Sequence, residues 1–393
     1  MAAIRSLLLA LIFLFYLEKY AQAATSLDLV VNSLYQSGKG GKQVYDGKGD
    51  QSLTLYEPVL YINSQIDSNT SVFGSLVFDA LSSASAKAFD SGTGASGVGG
   101  GGGGGGDEGD DSGDGGGSSV WQTRVGAELG YAKRKGTWAF TPTAGFSHEL
   151  SYNSLHGGLN VQKFFAEDNF VLSAGVFHFS DEANPWDLKL RKFAGFKKKT
   201  TDSLNASATQ LLSEKDIIIG GVSYTGQSGF LEGTRNTVST GTAITDRANE
   251  LLPDSRRKWT ANTRYVHGLG DGAAFHLDYR FYTDSWNIRA HTWEPSLAFS
   301  FADEAGTWRL FYRRYSQTAA KYYGDDFRVQ RTFMTSDSDL AKFSANEVGT
   351  QFAYAPEVEA GETVWEYGGT AMYYKRSNDL NALVVQATIS AKF

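Results

Sequence analysis

The sequence predicts an all-β fold, a transmembrane antiparallel up-and-down β-barrel of about sixteen strands, with fourteen or eighteen as alternatives. Three observations predict it. The last eleven residues, Leu383 to Phe393, alternate with period two and end on an aromatic residue. A short apolar leader follows Arg5 at the other end. Between these ends, the connections joining period-two segments alternate between long and short.

The terminal strand carries the strongest pattern. Leu383, Val385, Ala387, Ile389, Ala391 and Phe393 share one side, and Val384, Gln386, Thr388, Ser390 and Lys392 the other. In isolation a half-buried strand of a soluble sandwich would have the same alternation. Ending on Phe393, it resembles the last strand of a Gram-negative outer-membrane barrel, which the barrel-assembly machinery reads. Phe393 is therefore the expected membrane-assembly signal.

At the start, Arg5 precedes the apolar run Leu7 to Leu17, then Glu18-Lys19-Tyr20 and Ala21-Gln22-Ala23. A charged start, a short apolar core and an A-x-A site predict a signal peptide over 1–23, cleaved near Ala23. The run is too short for a membrane helix, which needs about 20 residues. The barrel is then one domain, 24–393, expected in the outer membrane.

Composition agrees. There are 20 Tyr, 25 Phe and 8 Trp, yet mean hydropathy is below zero. Strands with one lipid face and one water face explain both, because half of each strand is polar and aromatics sit at the interfaces. With no cysteine, disulfides, thiolate metal sites and cysteine nucleophiles are excluded. A net charge of −7 argues against nucleic acid as a partner.

Period-two segments bounded by turn residues fall at 25–36, 53–66, 70–81 and 120–133, then at 138–150, 153–165, 169–180 and 200–212. The second half supplies 216–228, 257–267, 273–284 and 288–301, then 307–319, 344–354, 363–375 and 381–393. The cleanest is Ala273 to Asp284, with Ala273, Phe275, Leu277, Tyr279 and Phe281 on one face and His276, Asp278, Arg280, Tyr282 and Asp284 on the other. Pro58 and Pro295 lie inside strands, where bulges are expected. Tight turns at Asp67–Asn69, Arg134–Gly136, Ala166–Asp168, Ser213–Lys215 and Gly268–Gly272 fall on one side, with both termini. Long connections at 37–52, 82–119, 181–199, 229–256 and 320–343 fall on the other. Short periplasmic turns opposite long external loops are the bacterial-barrel arrangement.

The connection at 86–119 is low-complexity, with a glycine run from Gly99 to Gly106. Asp107, Glu108, Asp110, Asp111 and Asp114 follow it and are weak metal candidates, since carboxylates suit a hard cation. Their spacing lacks the EF-hand order, and a hydrated external loop accounts for them as well. The basic stretch Lys189, Arg191, Lys192, Lys197, Lys198 and Lys199 lies where external loops meet lipopolysaccharide phosphates.

No catalytic or cofactor constellation is found. The six histidines His148, His156, His178, His267, His276 and His291 show no helical metal spacing. No nucleophile elbow, P-loop or dinucleotide fingerprint appears. An embedded hydrolase would need lumen residues such as His276 and Asp278 to meet a serine from another strand. Alternation points Arg264, His276, Asp278, Arg280, Asp284, Glu294, Arg309, Arg313 and Gln317 toward the lumen or its mouth. Opposed charges there could set a pore's selectivity or could cross-link and plug it. Any plug has to come from a loop, because no plug domain precedes the first strand.

Three stretches resemble a family of proteobacterial outer-membrane proteins defined only as a domain of unknown function. They are Leu252-Pro-Asp-Ser-Arg-Arg257; Leu277-Asp-Tyr-Arg-Phe-Tyr282 continuing through Asp284, Trp286, Ile288, Ala290-His-Thr292 and Glu294; and Arg313-Arg-Tyr-Ser-Gln-Thr-Ala-Ala320 with Tyr322-Tyr323. The resemblance implies a membrane barrel and, through genome neighbours, a link to envelope redox or metal handling. It transfers no catalytic residue.

The sequence thus supports a passive pore or transport-associated channel with a charged lumen. The alternative is a closed barrel that anchors a periplasmic or surface complex, with a periplasmic protein as partner.

Overall fold

The computed structural model describes residues 25–38, 53–83, 120–234, 236–242, 246–359 and 361–393. The leader and the glycine-acidic segment, with Asp107, Glu108, Asp110, Asp111 and Asp114, lie outside the described residues. In chain order the strands are β1 (Thr25–Gly38), β2 (Leu53–Asp67), β3 (Thr70–Ser83), β4 (Val120–Lys135), β5 (Trp138–Glu149), β6 (Tyr152–Phe165) and β7 (Phe170–Ala183). Next come β8 (Trp186–Asp187), β9 (Lys192–Phe193), β10 (Lys197–Leu211), β11 (Asp216–Gly229), β12 (Thr237–Ser239), β13 (Arg247–Asn249) and β14 (Ser255–Gly270). The last are β15 (Ala273–Asp284), β16 (Arg289–Phe301), β17 (Gly306–Gln317), β18 (Phe343–Tyr354), β19 (Val364–Arg376) and β20 (Leu380–Lys392).

Sixteen of these close one antiparallel barrel in the order β1 to β7, β10, β11, then β14 to β20, while β8–β9 and β12–β13 form two small hairpins outside it. Closure comes from β1 against β20, an unbroken register from Ser26 opposite Lys392 to Gly38 opposite Leu380. The Phe393 N–H extends the seam by donating to the Thr25 carbonyl at 3.0 Å.

Connections sort by end. Turns at 68–69, 136–137, 166–169, 212–215, 271–272 and 302–305 share the end that holds Thr25 and Phe393. Three show how a tight reversal is made. Asp271 and Gly272 both have positive φ (49° and 70°), the primed hairpin geometry that matches strand twist. Ala166, Glu167 and Asp168, and likewise Ala302, Asp303 and Glu304, are three consecutive left-handed residues. The opposite end carries the long connections 184–196, 230–254 and 318–342 together with short turns at 150–151, 285–288 and 377–379, while the longer connection 355–363 lies at the tight-turn end.

The prolines do not make bulges. On the β3 side, pairing skips from Tyr56–Ala80 to Val59–Val77 around Pro58 and resumes in the same register. Pro295 does the same between Trp293–Arg314 and Ser296–Phe311, and Pro142 between Gly130–Thr143 and Lys133–Phe140. Lacking an N–H, each proline loses ladder bonds on one side only and needs no extra residue. Register shifts fall instead at Gln65/Asp67 and Gly268/Gly270, beside turns.

Outward side chains form an apolar belt, including Leu129, Leu155, Val176, Leu204, Val222 and Val348. Aromatic pairs flank it in two bands. Near the tight turns are Phe165–Phe170 (5.7 Å between centroids) and Phe301–Tyr354 (6.2 Å). Toward the long loops are Tyr224–Trp259 (4.8 Å) and Tyr279–Trp293 (4.3 Å). An apolar belt between aromatic girdles is what a bilayer requires of a barrel. His291 joins the outer band, its Nδ1 2.8 Å from the Tyr279 hydroxyl, and so faces outward.

A lysine at Leu129, which is 67% exposed on the belt, should cost about 2–4 kcal/mol in lipid. Lumen-facing Ser207→Lys should cost far less. Urea unfolding of both variants in vesicles, followed by heat-modifiable mobility on gels, measures the difference.

Candidate functional site

The same alternation that turns Leu, Val and Phe outward places polar residues inside. Two lumen walls differ in charge. On β1 to β5, Asp28, Glu57, Glu128 and Glu149 face the lumen with Arg124, whose Nη2 lies 3.2 Å from Glu57 Oε2. From β7 to β15, toward the external mouth, Lys199, Arg256, Lys258 and Arg280 face it with Asp181 and Asp284. Ring order puts β2 eight strands from β14 in a ring of sixteen, so the acidic and basic walls stand opposite each other.

The sequence-derived candidates separate into three groups. Arg309, Arg313 and Glu294 form a neutralised ladder. Arg309 Nη2 lies 2.9 Å from Glu294 Oε1, and Arg313 Nε 2.7 Å from Glu294 Oε2. Arg313 also reaches Glu347 Oε1 at 3.0 Å, and Arg309 Nε donates to Ser296 Oγ at 3.0 Å. Arg264 is tied to Asp278 at 2.6 Å, with His276 on the same inward face of β15.

Asp284 and Gln317 hold external connections and do not line open water. The Asp284 side chain is fully buried. Its Oδ1 accepts the Trp286 and Ile288 N–H groups, both at 2.9 Å, and its Oδ2 accepts Arg256 Nε and the Tyr282 hydroxyl, also at 2.9 Å. Arg256 stacks 4.2 Å over the Trp286 ring. Gln317 Nε2 donates to the carbonyls of Asp339 (2.8 Å) and Ala341 (2.6 Å).

Arg280 stands apart. Among the described residues its guanidinium makes no hydrogen bond or ion pair, and neither does Lys258 Nζ. Arg280 and Tyr282 border both a chamber of about 630 Å³ in the lumen and a smaller space of about 310 Å³ at the mouth.

Three external connections build a cap over that mouth. Leu252, Trp286, Ile288, Ala320 and Leu340 form its buried core, with Tyr282 and Tyr322 packed against it. A second cluster joins Val238, Phe327 and Met334. Reciprocal backbone bonds between Leu251 and Met334 (3.0 and 2.7 Å) connect loops 230–254 and 318–342. A 3-10 turn, Ser338–Leu340, follows the Asp337 cap and turns the chain inward. Asp339 then meets Arg376 of β19 at 2.5 Å, so this loop enters the barrel mouth. In the cap, burial and nearby Asp325 push the Tyr323 hydroxyl pKa up.

Several of these residues escaped the sequence reading. Lys258 shares the inward parity of Arg264 and was legible from alternation, as were Glu57, Glu128 and Glu347. Asp339 and Leu340 sit in a connection with no periodicity to read. Lys199, grouped with the basic external stretch, turns inward instead, buried with its Nζ 3.4 Å from the Tyr152 hydroxyl.

Asp284→Ala should destabilise the barrel by about 3–5 kcal/mol, because it strands the Arg256 charge and two backbone N–H groups. Trypsin should then cut within 230–254 and should spare it in the parent protein. A loss below about 1 kcal/mol with unchanged protection would contradict this assignment.

No curated protein matches the chain. Among solved structures it is similar to a bacterial polysaccharide outer membrane secretin, at 11% identity over 94% of this chain and 98% of that one, TM-score 0.48. It is also similar to OccK2 (OpdF) of Pseudomonas aeruginosa, at 9% identity over 95% and 98%, TM-score 0.44. CdiB from Acinetobacter baumannii gives 9% identity over 94% and 60%, TM-score 0.45. These are likenesses of strand architecture. Residues 44–388 match the family described as "Protein of unknown function (DUF3570)", and the chain belongs to that family.

Proposed function

We propose that this chain is an outer-membrane pore whose lumen passes small solutes and whose two charged walls set selectivity. The observation that carries the reading is the polar chamber of about 630 Å³ inside the ring, narrowing at Arg280 and Tyr282 to a mouth lined by Asp339 and Leu340. A barrel of sixteen strands encloses more width than its own side chains fill. Opposed charges across such a lumen orient dipolar and charged solutes as they pass.

The packed cap favours a second reading, a closed barrel that anchors a partner. Its core seals part of the mouth, and Arg376–Asp339 and Gln317 hold the inward loop in place. The redox or metal link implied by the family resemblance belongs to this reading, with a periplasmic protein as partner. Catalysis in the lumen has less support. Among the described residues, no three His, Asp or Glu side chains converge as a metal site, and the His276 ring makes no hydrogen bond to a serine or carboxylate.

Planar bilayers separate the readings. Folded protein should give discrete conductance steps. Gln317→Ala combined with Asp339→Ala should enlarge those steps, because it frees the loop from the wall. Electrical silence from protein shown to be folded would favour the anchor.

A further inference from the structure

The lumen chamber has an asymmetric lining that defines a ligand class more narrowly than a charged pore requires. Consecutive inward rows run across the wall. In one, Thr260 of β14 stands opposite Ser223 of β11, which stands opposite Asn205 of β10. These three side chains make no side-chain hydrogen bond among the described residues, so their donors and acceptors face the chamber unspent.

A cation stands on either side of this row. Lys258 precedes Thr260 by one inward position on β14, and Arg280 of β15 lies opposite Asn262, one inward position after it. Their Cα atoms are offset by four residues along the strands, about 13 Å, a span that two long side chains reach across from both ends. Nearby carboxylates do not quench them. Asp284 is saturated by Arg256, Tyr282 and two backbone N–H groups. Asp278 gives one oxygen, Oδ1, to Arg264, and Asp181 is buried close to Lys199 and Tyr152.

Phe177 supplies the third element. It lies three strands from Lys258 along the same inward row, through Thr225 and Ser203. Its ring packs over Gly158, where an added Cβ would come within 2.2 Å of the ring. The ring also borders Gly175, and the residue lines the chamber. Two unpaired cations, a strip of free hydroxyl and amide groups and one aromatic platform match a ring bearing both a carboxylate and hydroxyls.

We infer that the chamber is a binding subsite for small hydroxylated carboxylates of the sugar-acid class. The carboxylate is held by Arg280, whose fork geometry suits two oxygens, and Lys258 adds a second positive charge. Asn205, Ser223 and Thr260 bind ring hydroxyls, and the C–H face of the ring lies on Phe177. This inference rests on the pore reading for its physiological meaning, but not for its test.

The test uses the full barrel in planar bilayers with D-galacturonate, D-galactose and acetate as probes. Galacturonate should interrupt the current at concentrations where galactose and acetate do not. Arg280→Ala should weaken that block roughly tenfold or more, the loss expected for one charge-assisted bond. Arg280→Lys should restore part of it, and Asn205→Ala should also weaken the galacturonate block. Equal block by acetate, or a block indifferent to Arg280→Ala in protein that keeps its folded gel mobility, would overturn the subsite. If the folded barrel carries no current, the pore reading fails by itself. Calorimetric titration of the detergent-folded barrel with galacturonate then decides the subsite, with binding lost in Arg280→Ala as the supporting result and absence of heat as the contrary one.

Discussion

Closure of the ring between β1 and β20 is the constraint from which the rest follows. Hydrocarbon offers no partner for a backbone N–H or C=O, so a chain that crosses a bilayer as strands must pair every edge. The register from Ser26–Lys392 to Gly38–Leu380 meets that demand, and Phe393 carries it one bond further. Once the ring is closed, side-chain parity is fixed all the way round. Leu129 and Val348 then have to meet lipid, while Glu57, Lys258 and Arg313 have to meet water or one another. The prolines fit the same constraint, since each removes bonds on one side and leaves the register intact.

Enclosing many charges creates a second problem, which the barrel solves in two ways. Along β16 to β19, cations and carboxylates interlock, with Arg309 and Arg313 sharing Glu294, and Arg376 taking Asp339 from the loop. Such pairs stiffen the wall and contribute little net field. Along β14 and β15, Arg280 and Lys258 are left over, facing a wall across the lumen where carboxylates predominate. The cap connects both halves. It anchors on Asp284 beneath the basic wall and on Gln317 and Arg376 beside the neutralised one, so the loop that narrows the mouth is held from two sides.

Much of this was legible in the sequence because parity is a local property. Alternation located all sixteen barrel strands to within a few residues, and it put Arg264, Asp278, Arg280, Glu294, Arg309 and Arg313 on the inward face. It could not tell which of them would be neutralised. That depends on register between neighbours, as when Arg313 finds Glu347 on β18, and register is a property of pairs of strands. Asp284 shows the same limit from another direction. Its parity is inward, yet position at the strand end turns it into the clasp of the Ser285–Ile288 turn. The cap was least legible, since Leu252, Trp286, Ala320 and Leu340 come from separate connections and share no period.

The central claim is that unpaired Arg280 and Lys258 face a water-filled lumen and shape its field. The reversal potential of single reconstituted barrels across a KCl gradient tests it most directly. Arg280→Glu with Lys258→Glu should move that potential markedly toward cation selectivity, whereas Arg314→Glu on the outer face should leave it in place. A potential unmoved by the double reversal, in barrels that still conduct, would contradict the account.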